Sequence, residues 1–409
     1  MPNGADRASA QRQIALLIAC QALLYVNNVA LVAANGLAGL ALAPTALLAT
    51  LPVTAYFVGA ALATMPASLA MGRFGHRAGF MFGAAAGATG AAIAAAAVLA
   101  GSFAGLCAGS FALGIYNAFA QYLRFAAADV AEAYDASLKE RAISWVLAGG
   151  IAGGIVGPEL SKITRDALPA TYAGTFAALA VTASIAFVIA SRLRVPAAVA
   201  SRAAPARPLA SVVAQPDFAA SVLVSAVSFG AMNLLMNAAP LAMKICGFGY
   251  PQSADVIKWH VVAMFAPGFF TGALMRRFGA HAVMLAGCAA LFATVAVGQH
   301  GGTYWHFWSA LVALGLGWNL MFTGATLLLT ATYTAGEKAK AQGANDLAVF
   351  VVTITSSAAS GALVSTNGWA ELNLYAAPFI ALAAGAIAWS WMRQATLGNS
   401  VRIPARAQN

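Results

Sequence analysis

Residues 72–77 read Gly72-Arg73-Phe74-Gly75-His76-Arg77, and residues 276–281 read Arg276-Arg277-Phe278-Gly279-Ala280-His281. Each stretch is a basic turn between two long apolar runs. The tripeptide Arg-Phe-Gly recurs at an offset of 204 residues, from Arg73 to Arg277. A turn repeated at this spacing in a chain of 409 residues describes two copies of one plan. The longest polar interruption, about 192–216, falls between the copies and carries four arginines with Pro196, Pro205, Pro208 and Pro216, the composition of a linker. The expected organisation is therefore an N-terminal six-helix half over 1–191, a basic cytoplasmic linker over 192–216, and a C-terminal six-helix half with a cytoplasmic tail over 217–409.

The composition fixes the solvent. The chain is 61% hydrophobic and 8% charged, with a mean hydropathy of +0.78, and apolar runs of about 18 residues or more recur along its length. These observations predict an all-α membrane protein with twelve spans, near 13–34, 45–70, 77–99, 103–125, 141–164, 168–191, 217–243, 253–275, 281–299, 304–330, 341–365 and 371–392. With both termini on the cytoplasmic side, 18 of the 22 basic residues fall in cytoplasmic loops and tails, and only Lys162, Arg165, Lys244 and Lys258 fall opposite. That asymmetry accounts for the net charge of +10 without a nucleic-acid partner. The expected location is a bacterial inner membrane, with the lipid bilayer as surroundings and a single chain as the working unit. The first apolar run follows Arg12 and exceeds the roughly 7–15 residues of a signal core, so it is expected to remain as an anchor. Cys20, Cys107, Cys246 and Cys288 show no C-x-x-C spacing, which argues against a disulfide framework.

No nucleotide-binding loop, zinc signature or nucleophile motif lies in a polar segment long enough to fold, so neither an enzyme nor a bound cofactor is expected. A purely structural membrane protein is the competing expectation. Amides within the spans, among them Asn27, Asn28, Asn237 and Asn345, count against it, because polar groups in hydrocarbon are costly and tend to be functional.

Twelve spans in a six-plus-six arrangement, the basic central loop and the repeated Arg-Phe-Gly resemble the major facilitator superfamily over nearly the whole chain. The resemblance implies a secondary transporter that rocks its two halves about a site near the bilayer midplane. The acidic residue usual before the family's basic turn is absent, since Gly72 and Arg276 stand there. The run Gly149, Gly150, Gly153, Gly154, Gly157 and Pro158 partly resembles the fifth-span motif of superfamily antiporters, and physically it permits close helix approach.

Two pairs of soft ligands stand out, Met232-x-x-x-Met236 and His260-x-x-x-Met264. Members spaced i, i+4 share a helix face. If the two spans run in opposite directions, a rise of 1.5 Å per residue puts the first pair roughly 22 and 28 Å up and the second roughly 24 and 18 Å up. Thioether and imidazole donors suit Cu(I). The same four residues look like the CcoA-like transporters, whose copper importers serve heme-copper oxidase assembly, and that resemblance implies copper as a metal-ion substrate, with Met243 and Cys246 as accessory candidates. Riboflavin importers of the RfnT type share the subfamily. They leave a second expectation open, a small-molecule substrate met by Tyr116, Asn117, Trp145, Asn233, Trp259 and Trp318, with the Met/His set as packing. Glu159, after Gly157-Pro158 in the fifth span, and Asp346, two turns into the eleventh, are expected to be buried carboxylates that carry a coupling proton.

Overall fold

A computed structural model describes residues 4–134, 139–195, 207–334 and 336–396. Every element is helical apart from short turns. In hydrocarbon each backbone N–H and C=O must find a partner within the protein, and a helix meets that demand locally. The helices are α1 (Gly4–Leu42), α2 (Leu51–Leu99), α3 (Phe103–Ala120), α4 (Leu123–Tyr134), α5 (Lys139–Thr164), α6 (Ala173–Ala190), α7 (Leu209–Val213), α8 (Pro216–Ile245), α9 (Tyr250–Phe265), α10 (Gly268–Phe278), α11 (Ala280–His300), α12 (Tyr304–Thr330) and α13 (Lys338–Thr396).

Among the described residues eight helices are long and apolar enough to cross a membrane, and α9 with α10, bent by 43°, makes a ninth crossing. Two of the eight cross twice. α2 has 49 residues and α13 has 59, and straight helices of that length would measure about 74 and 88 Å against about 30 Å of hydrocarbon. Each is broken once, at Gly75 (φ 84°, ψ 160°) and at Gly368 (φ 82°, ψ −180°), a conformation open essentially to glycine alone. α5, of 26 residues, is a further helix of membrane length, and with it the total is the twelve expected from the sequence.

The repeated tripeptide is a repeated structure. Gly279, between α10 and α11, has φ 83° and ψ 153°, within a few degrees of Gly75. Arg73 lies 5.2 Å from the Phe74 ring centroid, and Arg277 lies 5.2 Å from that of Phe278. Gly83 and Gly287, also 204 apart, let the following spans close on Phe119 and Met321, where an added Cβ would come within 2.6 and 2.8 Å. The glycine run of α5 lies on α1. A Cβ at Gly153 would sit 2.4 Å from the Ala22 carbonyl oxygen, and one at Gly157 would sit 2.8 Å from that of Val26. The close approach predicted from those glycines is thus realised.

Packing divides the molecule into two compact units whose borders differ from the chain halves. The first holds the leading six spans together with Met236–Val262 and Ser357–Gly368, and the second holds Ser201–Leu235, Ala263–Ser356 and the end of the chain from Trp369. The core of the first unit gathers Leu17, Leu24, Phe80, Tyr116, Phe119 and Leu123. In the second unit the described end of the linker is pinned. The Arg207 guanidinium donates to both oxygens of buried Glu337 at 2.7 and 2.9 Å and to the Thr332 carbonyl at 3.1 Å, while the Thr334 N–H also donates to Glu337. Arg207, and after it the backbone N–H groups, hold this loop carboxyl well below the usual range. Linker residues 196–206 and the tail from 397 lie outside the described residues.

Candidate functional site

Met232 and Met264 lie together, in aromatic company. Both are buried in the second unit against Trp318, with Phe229, Phe265 and Phe322 packed around them. Trp318 stacks on Phe322 at 5.3 Å and 18°, and Phe229 stands edge-on to both rings at 5.3 and 4.9 Å. Phe265 approaches Trp318 at 6.3 Å. The spacing explains how three helices build the cluster. Phe322 follows Trp318 by one helical turn on α12, Phe229 precedes Met232 by one turn on α8, and Met264 and Phe265 close α9. Trp318 is 8% exposed, and among the described residues its Nε1–H meets no acceptor. On α8 the Asn233 amide donates to the Phe229 carbonyl at 2.9 Å, while its own carbonyl oxygen is buried without a donor.

The other two members of the expected copper set lie one helical turn from Met232 and Met264 on the same helices. Met236 and His260, at 6% and 0% exposure, belong to the first unit. Met243 is fully buried in that unit, and Cys246 is an exposed free thiol. No three His, Cys, Asp or Glu side chains among the described residues gather as a metal site. Of the four soft donors, Met232 and Met264 share the aromatic cluster of the second unit. Packing, not ligand chemistry, decides where a thioether goes when its neighbours are aromatic.

Trp318 and Asn233 lie in the second unit. Tyr116 is buried in the core of the first, its hydroxyl without a partner, and Asn117 next to it accepts from Asn28 at 3.0 Å and Gln121 at 3.2 Å. Trp145 on α5 and Trp259 on α9 are exposed, with the Lys258 ammonium 6.0 Å from the Trp259 ring. Asn319 serves as a strut. It donates to the Met264 carbonyl at 2.7 Å and accepts from the Thr271 hydroxyl at 2.7 Å, bridging the break at Pro267 between α9 and α10. A proline has no N–H to offer the preceding turn, and a side-chain amide fills part of the gap.

The two carboxylates depart from expectation. Glu159 is not a buried acid: its side chain is 43% exposed and is held by Lys162 at 3.0 Å and Lys258 at 2.7 Å. The reason is its position within two turns of the α5 terminus, where lysines can reach it. Asp346 stands on an exposed face of α13, eight residues from the helix start, and accepts from Asn345 at 3.1 Å. Nearer the basic turn of the first unit, His76 lies 3.9 Å from Asp129, and Arg124 stacks on Phe125 at 4.9 Å.

The phenylalanines of the cluster were legible only as apolar residues at helical spacing, a pattern shared by every packed face in the chain.

Comparison with known proteins agrees with this architecture. The Major Facilitator Superfamily pattern matches residues 17–297. The chain is 39% identical over 381 residues to the riboflavin transporter RfnT of Brucella anthropi, covering 92% of this chain and 95% of that one. It is 30% identical over 165 residues to the MFS-type transporter YddS of Bacillus subtilis, covering 40% of this chain. Among solved structures a D-xylose-proton symporter superposes with a TM-score of 0.73 over 92% of this chain and 97% of its own, at 14% identity. The human organic anion transporter MFSD10 superposes with a TM-score of 0.64 over 92% and 99%, also at 14% identity. The chain belongs to the Major Facilitator Superfamily. It is a multi-pass membrane protein and a secondary transporter of that type.

Proposed function

We propose that the protein imports riboflavin across the inner membrane, with Trp318, Phe229 and Phe322 meeting the flat ring system and Met232 and Met264 lining it. The observation that carries this reading is the aromatic cluster around the two methionines, at whose centre a buried indole N–H has no acceptor. Buried tryptophan usually satisfies its N–H, and an aromatic ligand bearing ring carbonyls offers both a stacking face and the missing acceptor. Asn233, whose carbonyl oxygen is also unpaired, adds an acceptor on the same helix as Met232. The similarity to a riboflavin transporter over nearly the full length of both chains supports the same cargo.

This reverses the order of the two cargoes expected from the sequence. The aromatic surroundings of Met232 and Met264 suit packing or an organic ring better than a metal ion. Asp346, on the exposed face of α13, is the candidate for proton coupling.

The test is paired uptake of radiolabelled riboflavin and of copper by cells that express the chain and lack their own importers. Saturable riboflavin uptake is expected. Copper uptake with no riboflavin uptake would overturn the assignment.

A further inference from the structure

Glu159 and Lys162 on α5 and Asp255 and Lys258 on α9 form a closed ring of alternating charge, all within the first packing unit. Two contacts stay within a helix at spacing i, i+3: Lys162 to Glu159 at 3.0 Å, and Lys258 to Asp255 at 2.5 Å. Two cross between helices: Lys258 to Glu159 at 2.7 Å, and Lys162 to Asp255 at 3.5 Å. The lysines are the more buried members, at 19% and 17% exposure, and each touches one carboxylate on its own helix and one on the other. We propose that this ring is a latch that holds the outer ends of α5 and α9 together and parts in each transport cycle.

Its design suits a reversible closure. When the helices separate, each keeps its own i, i+3 pair, and only the two crossing contacts are lost. A charge-neutral ring therefore opens without leaving a lysine stranded. The neighbourhood is built the same way. Ser161 of α5 hydrogen-bonds the Tyr250 hydroxyl of α9, and Arg165 lies 5.3 Å from the rings of both Tyr172 and Tyr250. Deeper along the same pair, Gly154 admits Val261 so closely that a Cβ would come within 2.6 Å. A second set of ties lies in the same unit. Thr50, at the start of α2, donates to the Ser357 carbonyl at 3.0 Å and accepts from the Gly361 N–H at 3.1 Å, and Asn237 of α8 donates to the Ser357 hydroxyl at 3.2 Å. These ties draw parts of α8, α9 and α13 into the unit formed by the first six spans. They lie on the face that the basic-residue asymmetry places outside, opposite the two Arg-Phe-Gly turns. A transporter that alternates access must release such contacts on one face before cargo can enter from it.

The test reads accessibility, so it stands whichever cargo is carried. In a background with Cys20, Cys107, Cys246 and Cys288 replaced by alanine, Thr54→Cys places a thiol at a buried site beside Ser357. Its reaction with a membrane-impermeant maleimide is followed on intact cells. The reversal Glu159→Lys with Lys162→Glu keeps the pair within α5 and turns both crossing contacts repulsive. The reversal Asp255→Lys with Lys258→Glu does the same from α9. Either alone is expected to raise the labelling rate roughly tenfold, equivalent to about 1.4 kcal/mol of population shift. The two reversals combined restore every contact with inverted sign and are expected to return the rate to that of the parent. Unchanged labelling in both single-helix reversals would overturn the latch. So would faster labelling that the combined reversal fails to restore, since that pattern marks general damage.

Discussion

Trp318 shows how a single residue can carry a functional reading. Its ring is packed on three sides, so burial alone accounts for its position, but a packed ring has no need of an indole N–H. Replacement Trp318→Phe keeps the stacking and removes the donor. If the N–H binds cargo, the variant loses one hydrogen bond of about 1 kcal/mol, and the KM for riboflavin is expected to rise roughly fivefold at normal abundance. An unchanged KM would leave Trp318 as core. Met232 makes the opposite case. Met232→Leu conserves volume and costs less than about 1.5 kcal/mol, so uptake near the parent level is expected, whereas a copper ligand would tolerate no such change. Initial rates of both substrates in this variant separate the readings. Asp346 is tested by the proton gradient: uptake by the parent chain is expected to fall with an uncoupler, and in Asp346→Asn it is expected to become insensitive while exchange persists.

The elements are defined by their breaks. Helices of 49 and 59 residues become spans of membrane length only because Gly75 and Gly368 take a backbone conformation that a side chain resists. Gly75→Ala or Gly279→Ala is expected to cost about 1–3 kcal/mol each, and the effects should be similar because the two turns share dihedrals and an Arg-Phe stack. Thermal unfolding of the purified variants measures this, and a large difference between the two would mean that the repeat is one of sequence more than of structure. The break between α9 and α10 is supported differently, by one amide that serves both sides. Asn319→Leu removes a donor to Met264 and an acceptor for Thr271 together, so a loss exceeding that of a single hydrogen bond is expected in the same assay.

At the scale of the whole molecule, charge predicts which way the chain lies and ties the described end of the linker. Reporter fusions at both termini and after residue 250 are expected to place the termini inside and the loop beside Lys244 outside, following the 18-to-4 distribution of basic residues. A C-terminus on the outer side would overturn the twelve-crossing orientation. The Arg207–Glu337 pair gives a pH signature. Because the folded carboxyl is held below its usual value of 4.5, its contribution to stability is fully present above that value and is lost as the pH falls through the lowered one. Unfolding temperatures between pH 7 and pH 3 are expected to decline on acidification in the parent chain, with that component absent in Glu337→Gln.

Much of this was legible in the residues. Apolar length, basic asymmetry and the repeated Arg-Phe-Gly determine the helical class, the twelve crossings and the doubled plan, because backbone satisfaction in hydrocarbon and the cost of burying charge act locally and leave a pattern in sequence order. The glycines of α5 likewise announced a close helix contact. The site was only half legible. Helical spacing says which residues share a face, but not which face meets which, so spacing could bring Met232 towards Met264 but could not show the rings of Phe229, Phe265 and Phe322 around them. Glu159 reads as a buried acid from its neighbours in the chain. It is an ion-pair partner because α9, 99 residues further on, brings Lys258 to it. Those meetings depend on how helices distant in sequence pack, and that free energy is shared among contacts that no single stretch of the chain contains.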